Sequence, residues 1–148
     1  MDNDIYYMLG NLYEDKEKSE QAYRLAARGE FNLSSAMYYN DQPPQMMYYS
    51  AKAIEALGDK DEAKKRFNAF IEYANNHMND EMKIDYFAVS LPDFLIFEGD
   101  LNKNNKVHCN LMAALGYLGI GDNDNAQKYA KQGLELNQCH AELRDIVK

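Results

Sequence analysis

The chain has 148 residues, 46% hydrophobic and 27% charged, the profile of one folded domain or one short repeat array and not of a disordered chain. Sixteen Lys and Arg against 24 Asp and Glu give a net charge of −8, which excludes a nucleic-acid backbone and an anionic membrane as natural partners and suits a basic or neutral one. There is no apolar run of bilayer length, MDNDIYYMLG lacks the basic and apolar regions of a secretory signal, and two cysteines are too few for a disulfide framework, so the expected setting is cytoplasmic.

In chain order, Tyr6 and Tyr7 fall on a first helix. The run MMYYSAKAIEAL then leads into Gly58, and Asp59 behind it opens a second helix whose apolar residues Ala63, Phe67, Phe70, Ile71 and Ala74 recur every three or four positions, one stripe of a buried face. A glycine at that place suits a left-handed helix cap, and an aspartate next to it suits an N-cap. Residues 78–106 break the pattern. There Ile84, Phe87, Ala88, Leu91 and Leu95 would form a stripe, interrupted by Pro92, so two short helices meeting near Ser90 and Pro92 are expected. The run VHCNLMAALGYL, Gly121 and Asp122 then repeat the earlier arrangement, with Ala126, Tyr129, Ala130, Gly133 and Leu134 as a shallower stripe. The closing AELRDIVK, with Ala141, Leu143, Ile146 and Val147 apolar, reads as a short capping helix. No alternating segment with hairpin turns supports a strand, and the fold class is all-α.

The two copies, Ala56 to His77 and Gly119 to His140, resemble the tetratricopeptide repeat, a helix-turn-helix unit of about 34 residues. That resemblance divides the chain into a degenerate repeat at 3–36, a repeat at 44–77, a non-repeat helical insertion at 78–106, a repeat at 107–140 and a cap at 141–148. In the first unit Tyr6, Leu9, Gly10, Tyr13 and Ala22 stand in phase with the signature, with Glu17 at the place of the turn glycine. The implied architecture is a short right-handed superhelical array of antiparallel helix pairs, an α-solenoid. Lys83 to Cys109 further resembles a segment in the C-terminal repeat region of larger uncharacterised, carbohydrate-associated bacterial proteins.

Catalytic and metal chemistry find little support in the residue pattern. His108-Cys109 and Cys139-His140 supply four zinc-type ligands, but neighbours on a helix point about 100° apart and do not close on one ion. Asp85, Tyr86, Asp93, Glu98, Asp100 and His108 could be assembled into an acid–base site, yet nothing among them has the form of a nucleophile elbow, a phosphate loop or a zinc-protease motif. No enzyme, no metal and no cofactor are expected. Twelve tyrosines and no tryptophan suit either a binding groove or the edge of a core.

The resemblance implies a concave face built from the first helix of each unit, mapping to Asp4, Tyr7 and Asn11, then Gln45, Tyr48, Lys52 and Glu55, then His108, Leu111 and Leu115. Tyr7, Asn11, Tyr48, Lys52, His108 and Leu111 are the candidate ligand-binding residues. This face lacks the basic cluster with which some relatives clamp acidic peptide tails. The expected function is a non-catalytic interaction module with a protein or peptide partner, a homo-oligomer included, and with neither nucleic acid nor membrane. An accessory module of a carbohydrate-active protein and a purely structural or dimerising unit are the alternatives.

Overall fold

The computed structural model describes residues 2–35, 42–82 and 101–147. The two short helices expected near Ser90 and Pro92 lie outside these residues. Among the described residues seven helices follow in order: α1 (Asn3–Leu12), α2 (Lys16–Ala26), α3 (Pro44–Ala56), α4 (Lys60–His77), α5 (Leu101–Gly119), α6 (Asn123–Leu136) and α7 (Ala141–Ile146). Among the described residues there is no strand.

The helix boundaries have local causes. Pro44 occupies the first turn of α3, where a missing N–H costs nothing. Asp59 caps α4 by accepting from the Glu62 N–H at 3.1 Å, and Asp122 caps α6 by accepting from the Asn125 N–H at 3.1 Å. Gly58 and Gly121, which end the preceding helices, have φ of 104° and 83°, the left-handed region that a residue with a Cβ enters only at a cost. The first hairpin is shorter. Glu17 lies inside α2, and the cap is Asp15, which accepts from the backbone of Glu17 and Lys18. Four residues past each capping aspartate stand Ser19, Ala63 and Ala126. Ser19, and not Ala22, therefore holds the small-residue position of the first unit, and its hydroxyl donates to the Gly10 carbonyl at 2.7 Å.

Each helix packs on the next, and the first helices of successive units also pack on one another, α1 on α3, α3 on α5 and α5 on α7. Contacts between near neighbours along the chain are the mark of a solenoid. The common core runs from α3 to α7, with Met47, Phe67, Phe70, Met112 and Leu143 among its fully buried side chains. Helix α5 is its axis, buried on almost every side from Asn105 to Gly116. Two of its glycines let α4 approach: an added Cβ at Gly116 would stand 2.7 Å from the Phe67 carbonyl oxygen, and one at Gly119 would run into the Phe67 ring.

Although residues 78–100 separate them in sequence, α4 and α5 pack directly against each other. The two ends of that stretch are tied together. The Met82 N–H donates to Asn102 Oδ1 at 2.8 Å, and the buried Asn105 amide donates to the His77 carbonyl at 2.7 Å. After α2 the chain runs without regular structure through residues 27–35 across the second unit. Phe31 meets Phe70 edge-on at 5.5 Å with the Arg66 guanidinium 5.1 Å above its ring. At the far end, Leu143 of α7 fills the hollow over Gly133, and Gln127 donates to the Ile146 carbonyl at 2.6 Å. At the near end α1 leaves Ile5, Met8 and Leu12 exposed, Leu12 to 76%.

Candidate functional site

The first helices α1, α3 and α5, together with α7, enclose a cleft of about 370 Å³. Its floor and walls are apolar, formed by Met8 of α1, Met46 of α3, Leu115 and Leu118 of α5 and Ile146 of α7, with Tyr48 and Tyr49 between them. The charged groups at its lining are Asp4, Glu142 and Asp145, and no lysine, arginine or histidine joins them. Gln45 Nε2 donates to Glu142 Oε1 at 3.1 Å, which ties α3 to α7 across the cleft, and the His140 ring nitrogen lies 3.1 Å from the other oxygen. Burial raises the Tyr49 hydroxyl pKa above its usual value, and the nearby Asp4 and Asp145 carboxylates raise it further. The phenol thus lies within the field of carboxylates from both ends of the array.

Of the six candidate ligand-binding residues, Tyr48 lines this cleft and the other five do not. Tyr48 is 9% exposed, with its ring 5.8 Å from Phe67 and 5.4 Å from Tyr49, and burial is the main cause of a strongly raised hydroxyl pKa. Tyr7 is half-buried between Tyr23 and Tyr49, at 5.9 and 5.7 Å. Asn11 is exposed and accepts from the Tyr23 hydroxyl at 2.9 Å. Lys52 pairs with Glu55, and its ammonium lies 6.0 Å from the Phe67 ring centre. Leu111 is 4% exposed and belongs to the core. His108 sits between α4 and the segment after α2, its Nε2 2.9 Å from the Ser34 carbonyl and its ring edge-on to Tyr73 at 6.0 Å.

Burial is the largest cause of the lowered His108 pKa, and nearby His140 adds to it against the opposing Ser34 carbonyl. The folded protein therefore binds this proton less readily than the unfolded chain, whose His titrates near the ordinary 6.5. Stability from this residue is present above that value and is lost as the pH falls through and below it. Thermal melts should show a fall in Tm between pH 7 and pH 5 that is smaller in His108→Gln, which keeps a donor for Ser34. Equal falls in both proteins would place the titration elsewhere.

The sequence pattern missed the wall supplied by α7. Glu142 and Asp145 stand one 34-residue repeat length beyond His108 and Leu111, so extending the repeat phase by a half unit would have found them. The acid–base candidates Asp85, Tyr86, Asp93, Glu98 and Asp100 lie outside the described residues. Cys109 is buried and its thiol pKa is pushed up to about 11, first by burial and then by Asp80, whereas Cys139 is exposed. Among the described residues, no three His, Cys, Asp or Glu side chains gather as a metal site, and no helix is long and apolar enough to cross a membrane.

No solved structure matches the chain. The family model that does match is the tetratricopeptide repeat, over residues 4–25. That span covers nearly all of α1 and α2, the hairpin with the shortest pair of helices. Together with the order and packing of the seven helices, it shows that the chain is built on a tetratricopeptide-like helical repeat.

Proposed function

We propose that this protein is a non-catalytic interaction module that holds a segment of a partner protein in the cleft between α1, α3, α5 and α7. Repeats of this type generally mediate protein–protein interaction. The observation that carries the reading is the cleft itself, a concave apolar surface bounded by polar groups and supplied by the first helix of every unit. In this reading Tyr48 touches the ligand through its exposed edge and Tyr7 backs the Tyr49 ring. Asn11, Lys52, His108 and Leu111 hold their neighbours in place.

The test uses peptides selected from a random 12-residue library on the immobilised full chain. Met8 is 51% exposed, so Met8→Arg changes the cleft floor without disturbing the core. Binding of the selected peptides should fall at least about tenfold, the size of a hot-spot loss, with the melting temperature unchanged. Undiminished binding to the variant would move the site off this face.

A further inference from the structure

The lining of the cleft carries one sign of charge, unlike the hollow between α2 and the end of α3, where Lys16 and Glu20 stand together. Asp4 comes from the first helix of the array, and Glu142 and Asp145 from the last, so carboxylates stand at both ends of an apolar trough. Lys52, which the same face carries further along α3, is already paired with Glu55. Among the described residues no cation forms an ion pair with Asp4 or Asp145, and Glu142 has only Gln45 and a histidine beside it. Apolar walls lower the dielectric and concentrate such a field on whatever enters. Exposed Met8 and half-buried Met46 add adaptable contact area.

Resting on the cleft reading above, we infer that the occupant is a basic segment of a partner protein, with Lys or Arg at both ends of a short apolar stretch. The apolar residues lie on Met8, Met46, Leu115 and Leu118, and the flanking cations meet Asp4 on one side and Glu142 and Asp145 on the other. A second copy of this chain is a poor occupant, because it carries a net charge of −8 into an acidic cleft. An acidic peptide tail is repelled for the same reason.

The experiment titrates the 15N-labelled full chain with three synthetic peptides, KLKKLLKKLLKK, its Glu-for-Lys counterpart and its Ser-for-Leu counterpart, following amide shifts by NMR. The Lys/Leu peptide should move the amides of Met8, Tyr49 and Leu118 and bind at least about tenfold more tightly than either counterpart. In the triple variant Asp4→Asn, Glu142→Gln, Asp145→Asn its affinity should fall about tenfold or more. Neutralising Glu17, Glu72 and Glu135 to Gln, three exposed carboxylates outside the cleft, should change it less than twofold. If the triple variant loses its helical signal, Asp145→Asn alone, at an exposed carboxylate, should weaken binding about threefold. Cleft shifts with equal affinity for the acidic peptide, or equal losses in the cleft and control variants, would overturn the charge inference and leave the cleft reading standing. Shifts confined to other faces would overturn both. Self-association through the cleft in the absence of peptide would replace the basic segment with a second copy.

Discussion

Phe67→Ala should lower stability by about 3 to 5 kcal/mol, the cost of removing a buried aromatic ring and leaving a cavity behind. The ring is 1% exposed and lies where three helices meet. It touches Tyr48 on α3, and on α5 it takes the space left free by Gly119. Relaxation cannot close the hole easily, since Tyr48 is itself fixed by Tyr49 and α5 is packed on almost every side from Asn105 to Gly116. Chemical denaturation should show the loss as a lower midpoint with little change in slope. A loss below about 1 kcal/mol would mean that α4 and α5 do not share this core. The double variant with Gly119→Ala is informative, because the added methyl would occupy space that the ring vacates. Its stability should exceed the sum of the two single effects.

Gly116→Val should be almost as damaging, by about 3 kcal/mol, for the opposite reason. An added Cβ there meets the Phe67 carbonyl oxygen and Ile71 Cγ1 at 2.7 Å and Phe70 Cβ at 3.0 Å. Two of these are flexible or side-chain atoms, but the carbonyl belongs to the α4 backbone. The helices must therefore move apart, and overpacking of this kind typically costs 1 to 3 kcal/mol or more. Valine also has better helix propensity than glycine, which offsets only a few tenths of a kcal/mol. Denaturation of the full chain measures the balance, and a variant as stable as the parent would show that the close approach of α4 and α5 is wrong.

Much of this arrangement could be read before any coordinates, because it depends on local periodicity. The stripe through Ala63, Phe67, Phe70 and Ala74 is buried as the spacing requires, with Ile71 at its half-buried edge. Gly58 and Gly121 have the left-handed backbone that their places between helices demanded. What escaped was whatever depends on separation in space. Asp15 could have been recognised as a cap, but a signature read in fixed steps kept the turn at Glu17 and so misplaced Ala22 by three residues. Tyr48 and Leu111 stand where the resemblance implies groove positions, yet both are buried, because neighbouring helices pack over them, as Phe67 of α4 does on Tyr48. For the same reason α7 read as a plain cap: its apolar face follows from periodicity, whereas the meeting of Glu142 with Gln45, 97 residues apart, does not.

The ties from Met82 to Asn102 and from Asn105 to His77 bring the two ends of the intervening sequence together at the junction of α4 and α5. Mechanical and thermodynamic coupling between α4 and α5 runs through the direct packing of the two helices. The entropy of closing a chain between two tied ends grows only as the logarithm of its length. That junction is therefore a graft point, where sequence of different length can be exchanged while the two ends stay tied and α4 stays packed on α5. Variation between descendants of this chain should concentrate there, and recognition could diversify beside an unchanged groove.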